Sequence, residues 1–134
     1  MSVYFAIAVV SVCMLMSLRT LFLPYNIKGK WVSYEYFLSL AFIYLTLLIG
    51  FSLIYTLLEI NGFVVLDDGL GVGRTFLNRF MRGLYFSGMT LFSVGYGEIV
   101  PVGIGRVLAL IEAFFGFAIP AVFVTKTFME VEKE

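Results

Sequence analysis

The chain has no histidine and a single cysteine, Cys13, among its 134 residues. An internal disulfide is impossible, and zinc and haem sites lack their usual ligands. Charge is also scarce. Only 13% of residues are charged, against about 25% in an ordinary globular domain, and nine basic and nine acidic side chains cancel. A water-soluble enzyme, a disordered tail and a nucleic-acid binder are disfavoured together, since each needs polar surface that this chain does not have. What is present instead is apolar: 61% of residues are hydrophobic and 18% aromatic. One domain of this size cannot hide so many apolar side chains in its own core, so lipid or sister subunits must cover the rest. Cys13 stands inside an apolar run and reads as a small packing or lipid-facing residue.

The few charges are clustered, and the gaps between the clusters mark the lipid. The run from Tyr4 to Leu23 is interrupted only by Arg19, near enough to one end to snorkel toward headgroups. Residues 1–23 are therefore expected to form an N-terminal transmembrane helix. A secretory leader is the rival reading, but no basic stretch precedes the run and no small-x-small cleavage site follows it, so retention is expected. Residues 24–35 form a polar connector with Pro24, Lys28, Gly29 and Lys30, and with Trp31 and Tyr34 as interface aromatics. Tyr36 to Leu58 has no charge and reaches roughly 35 Å as a helix, enough to cross a hydrocarbon core of about 30 Å. An outer helix is predicted over 36–60.

Residues 61–78 are the most polar stretch, with Asp67, Asp68, Arg74 and four glycines, and read as a loop outside the lipid. Gly69, Gly71 and Gly73 superficially suggest a dinucleotide-binding turn. The third glycine of that fingerprint would fall at Arg74, however, and no βαβ unit fits between the spans. A helix over 79–92 would be roughly 21 Å long, too short to cross, and is predicted to be re-entrant. Gly95, Gly97, Pro101 and Gly103 then break the chain before a final helix over 105–129 and an acidic tail at 130–134. The expected fold is an all-α membrane protein with three transmembrane helices, a re-entrant helix and an irregular loop.

That loop carries the chemistry. Non-helical backbone at membrane depth leaves carbonyls without partners, which is costly unless something else satisfies them. A dehydrated cation can do so. Glycines at alternate positions allow successive carbonyls to turn to one side as a ladder of oxygen ligands, and the Ser93 hydroxyl can add another.

Residues 90–101 read TLFSVGYGEIVP. This segment resembles the pore loop and selectivity filter of the potassium channel family, in its two-helix-plus-pore-loop form with an extra N-terminal helix. The resemblance spans Tyr36 to Phe128. It implies that the pore domain is residues 36–129 and that Ser93, Val94, Gly95, Tyr96 and Gly97 form a filter whose carbonyls replace the hydration shell of potassium. It also implies an inverted-teepee homotetramer, because one chain supplies one side of the ring, and passive electrodiffusion with no chemical step. Potassium, sister subunits and membrane lipids are the implied partners, with no nucleic acid and no cofactor beyond the permeant ion.

Several residues depart from common family choices. Ser93 stands where threonine is usual, Phe92 replaces the preceding threonine, and Met89 occupies the place of a glutamate found behind some filters. Tyr85 and Phe86 replace a frequent tryptophan pair, and Glu98 stands in for aspartate. Phe86 cannot donate a hydrogen bond to Tyr96 of a neighbouring subunit as a tryptophan could. A filter less braced by hydrogen bonds is expected, which leaves a weakly selective cation channel as an alternative. A non-conducting subunit of a larger assembly is another.

In the last helix, Gly116 matches the family's hinge position and Pro120 deprives its carbonyl of a helix partner, so a swivel is expected there; close helix packing is the competing reading. Phe117, Val124 and Phe128 are placed by the resemblance toward the pore, as an apolar gate. Glu112 lies within a span, where a carboxylate is functional by default. Pairing with Arg79 or Arg82 behind the pore helix is expected, with a cavity-facing position as the alternative. No arginine-repeat voltage sensor is visible, and no regulatory domain is expected for the chain as given. By resemblance the filter loop and N-terminus are external, the C-terminus is cytoplasmic and the membrane is the plasma membrane.

Overall fold

A computed structural model describes residues 2–22, 32–71 and 75–131. Most of the expected connector over 24–35, Arg74 and most of the acidic tail lie outside the described residues. Four helices and two short strands follow in order: α1 Ser2–Phe22, α2 Val32–Ile60, β1 Leu66–Asp67, α3 Phe76–Leu91, β2 Val100–Pro101 and α4 Gly105–Val131. Three of the helices contain windows long and apolar enough to cross a membrane, at Ser2–Thr20, Phe37–Ile60 and Gly105–Thr125. α3, with 16 residues, does not.

The layers follow chain order. α1 packs on α2, α2 on α3, and α3 on α4. α2 is the central element because its buried residues Ile43, Leu47, Phe51, Ile54 and Tyr55 recur every three or four positions and so share one face. Phe86 and Leu91 of α3 and Ile119 of α4 complete the core. α1 is held at the rim by buried Met14, which sits against Gly50 of α2; a Cβ there would lie 2.7 Å from the Met14 Cγ. Val10 and Leu18 also pack, partly buried, on the core, while Phe5, Leu15 and Met16 are exposed.

α2 begins at Val32, four residues before the charge-free run, and α3 begins at Phe76, three residues before the expected start. Hydropathy marks where a helix enters lipid. It does not mark where the hydrogen-bonded ladder begins, which can extend into the polar zone.

The strands form a small antiparallel clamp with Leu66 opposite Pro101 and Asp67 opposite Val100, extended by a bond from the Val102 amide to the Val65 carbonyl at 2.9 Å. This clamp ties the α2–α3 loop to the chain leaving residues 93–97, so the irregular segment is fixed at both ends.

Candidate functional site

The end of α3 flows into the irregular segment through a specific set of backbone bonds. The Phe92 amide donates to the Gly88 carbonyl at 3.0 Å and the Ser93 amide to Thr90 at 3.1 Å. The next two amides, Val94 and Gly95, both donate to the Met89 carbonyl, at 2.9 and 3.1 Å. All peptides described are trans. In a trans peptide the carbonyl points opposite to the N–H of the same unit. Two amides aimed at one acceptor therefore turn the Ser93 and Val94 carbonyls to the same side, away from α3.

Alternation of backbone handedness accompanies this arrangement. Ser93, Gly95 and Gly97 have positive φ, at 56°, 57° and 86°. Glycine adopts such angles without penalty, whereas Ser93 is the only non-glycine with positive φ among the described residues and costs about 1–2 kcal/mol. Strain of this kind persists only where neighbouring structure imposes it. Here the two amides held by Met89 impose it. Val94 and Tyr96 are exposed in the single chain.

Tyr85, Phe86, Met89 and Glu98, the expected supports, each take a distinct place around this loop. Tyr85 donates a hydrogen bond from its hydroxyl to Glu98 Oε2 at 2.9 Å, fastening the far end of the loop to α3 within one chain. That bond is also the main reason the Tyr85 phenol is raised above its ordinary pKa. Phe86 is buried and meets Tyr55 of α2 edge to face, with ring centroids 5.4 Å apart. It braces α3 against α2. Met89 contributes through its carbonyl.

The expected pairing of Glu112 with Arg79 or Arg82 is corrected by the structure. Glu112 is fully buried and accepts hydrogen bonds from the Tyr55 hydroxyl, at 2.9 Å, and from Ser87 Oγ. Among the described residues no cation pairs with it. Arg82 instead pairs with Glu59 at the end of α2 and lies 3.6 Å from Asp68 Oδ2 in the α2–α3 loop. Arg79 lines a cleft of about 260 Å³ with Glu59, Asp67, Asp68 and Arg82. The reason is axial position: both arginines sit in the first half of α3, beside the α2–α3 loop, whereas Glu112 meets α3 near its far half at Ser87. Two neutral hydroxyls satisfy the carboxylate where no guanidinium reaches. The cavity-facing alternative also fails, since Glu112 faces α2 and α3.

Gly116 is buried against the end of α3. A Cβ there would overlap the Leu91 carbonyl and lie 2.9 Å from the Leu91 Cα. Close packing is thus present at the residue expected as a hinge. Pro120 stands within an otherwise continuous α4. Phe117, Val124 and Phe128 are exposed, and they belong to a longer exposed row that also takes in Val107, Leu110, Phe114 and Ala121. Its alternating spacing of three and four residues is that of a helix-packing seam. The spacing is readable in the sequence, but apolar residues all around the helix hide it.

A family model described as "Ion channel" matches residues 42–133, more than two thirds of the chain. The chain belongs to this ion-channel family. The match takes in most of α2, the whole of α3, the irregular loop and α4. The chain is similar to protein LctB of Bacillus caldotenax, with 46% identity over 85 residues that cover 63% of each chain. It is similar to protein LctB of Geobacillus stearothermophilus, with 44% identity over 91 residues, 67% of this chain and 68% of that one. A rice protein (Oryza sativa subsp. japonica) named two pore potassium channel a is 38% identical over 81 residues, 59% of this chain and 23% of its own length. The chain therefore spans less than two thirds of the length of the first relative. Membership of this family, together with three apolar helices, makes the protein an integral multi-pass membrane protein.

Proposed function

We propose that this chain is a subunit of a potassium-selective channel that conducts by passive electrodiffusion through backbone carbonyls of residues 93–97. The observation that carries this reading is the pair of amides, Val94 and Gly95, donating to the one Met89 carbonyl, together with positive φ at Ser93, Gly95 and Gly97. Carbonyls facing one way are what a dehydrated potassium ion requires. The resemblance of SVGYGE to potassium channel filters and the name of the rice relative point to the same ion. α3 ends at the base of this loop, so the negative end of its dipole favours a cation there without an acidic side chain.

One chain has one such loop, and a ring of oxygens around an ion needs four, so a homotetramer is part of the proposal. The exposed seam on α4 from Val107 to Phe128 supports it, because helices crossing around an axis pack through such rows. The loop is placed outside the plasma membrane, with the N-terminus external and the C-terminus cytoplasmic. Gly116 with Pro120 is the proposed swivel, and Phe117, Val124 and Phe128 the proposed gate.

A weakly selective cation channel is the second reading. The observation that favours it is Phe86, which braces α3 against its own α2 and leaves Tyr96 without the donor a tryptophan would offer. Purified protein in potassium-loaded liposomes tests both. Barium-sensitive potassium efflux with little sodium entry is expected; equal potassium and sodium flux selects the second reading, and no flux refutes conduction by this chain alone.

A further inference from the structure

Proline at 120 has no N–H, and in a regular helix that N–H would bond the carbonyl four residues earlier, at Gly116. A carbonyl left bare inside a span is costly, since lipid offers it nothing. Here it is not bare. The Tyr44 hydroxyl reaches across from α2 and donates to the Gly116 carbonyl at 2.7 Å.

The same side chain makes a second contact. Its ring stacks on Phe92, with centroids 5.5 Å apart and planes 10° from parallel. Phe92 caps the end of α3, directly before the residues with alternating φ. Leu91, its neighbour, is the residue on which Gly116 packs. Tyr44 is thus joined by its hydroxyl to the pliable point of α4 and by its ring to the base of the proposed filter. It is mounted on a fixed part of α2, between buried Ile43 and Leu47.

We propose that Tyr44 is a positioning residue that sets the bend of α4 at Gly116 and couples that bend to the end of α3. The bond exists only while the Gly116 carbonyl keeps its present direction. A swivel at Gly116 turns that carbonyl away, frees the hydroxyl and loosens the Tyr44–Phe92 stack. Tyr44 therefore favours the conformation seen here over any in which α4 has swung. A ligand or contact with equal strength in both conformations could exert no such bias. The proposed bias rests on the channel reading for its functional consequence, though the contact itself does not.

Tyr44→Phe removes the hydroxyl and keeps the ring. Single-channel recording is expected to show the ratio of open to closed time altered about five-fold, the worth of one typical net hydrogen bond, with unitary current and reversal potential unchanged. Pro120→Ala restores an N–H for the Gly116 carbonyl, so in that background Tyr44→Phe should alter the ratio less than about two-fold. An equal effect in both backgrounds, or none in either, overturns the proposal. A readout independent of conduction accompanies it. Spin labels at Leu38→Cys and Thr125→Cys, in a Cys13→Ser background and diluted with unlabelled chains, report the spacing of α2 and α4. That distance distribution should shift or broaden with Tyr44→Phe only when Pro120 is present, and an unchanged distribution refutes the positioning role. A wild-type protein that carries no current but shows the Pro120-dependent shift refutes the channel reading and upholds the positioning; current without the dependence does the reverse.

Discussion

Replacing Glu112 tests how the spans are held together. Its carboxylate is fully buried and accepts from two hydroxyls, Tyr55 on α2 and Ser87 on α3, so one side chain of α4 joins three helices. Glu112→Ala strands both donors and leaves a cavity where the side chain was. Each stranded hydroxyl costs about 1–3 kcal/mol by general experience, although within membranes such bonds average nearer 0.6 kcal/mol because freed groups find other partners. With the lost packing added, a destabilisation of about 2–5 kcal/mol follows. Against a total of about 5–15 kcal/mol this is a large share. Glu112→Gln keeps one acceptor and the volume, and a rotated hydroxyl can accept from its amide, so about 1 kcal/mol is expected. The assay is unfolding by sodium dodecyl sulfate in mixed micelles, followed by circular dichroism. Because the carboxylate faces α2 and α3, Glu112→Gln should also leave block by internal cations unchanged. The reasoning is refuted if Ala and Gln are equally damaging, which would make charge the essential property, or if Ala costs less than about 1 kcal/mol.

Arg82→Ala leaves Glu59, a largely buried carboxylate, without its cation, and a loss of about 3 kcal/mol in the same unfolding assay is expected. Arg79→Ala, on the cleft wall, should cost less than half as much. Gly95→Ala meets no neighbour within 4 Å but must hold φ near 57°, so folding should survive with a strain of about 1–2 kcal/mol while liposome potassium flux is lost; retained flux would remove Gly95 from the proposed filter. Tyr85→Phe deletes the bond to Glu98, and bi-ionic recordings should then show reduced potassium preference with stability changed by about 1 kcal/mol or less.

The spans could be read from sequence because hydropathy and length act through one dominant cost, that of unpaired polar groups in lipid. The short helix α3 followed from the same argument, a helix too short to cross. Partner choice inside the bundle could not be read this way. Glu112 lies within a span and Arg79 and Arg82 on the short helix before it, so opposite charge alone suggests pairing. Which of them meet depends on axial register between α3 and α4, and register is set by packing contacts such as Gly116 on Leu91. Hydroxyl donors are harder still to anticipate. Tyr44, Tyr55 and Ser87 sit among many aromatic and small residues, and nothing in their spacing separates them from ordinary packing. Likewise the Glu59–Arg82 pair joins residues 23 positions apart, at the end of one helix and the middle of another.

Between residues 107 and 125 the sole ionisable side chain is Glu112, and it is committed to Tyr55 and Ser87. The other fully buried hydroxyls among the described residues are engaged as well: Ser52 donates to the Phe80 carbonyl at 3.0 Å and Thr56 to the Ser52 carbonyl at 2.8 Å. Ser52 bonds across to α3 and Thr56 bonds within α2, both inside one chain, so neither offers a ligand to an ion passing outside that chain's core. The Gly116 carbonyl, the one α4 carbonyl that Pro120 strips of its usual donor, is taken by Tyr44. The irregular backbone beyond α3 offers oxygens of another kind, two of which, on Ser93 and Val94, are turned to one side by the Met89 carbonyl. The proposed channel therefore draws its ion ligands from main-chain oxygens, and residues 93–97 are the ones the proposal names.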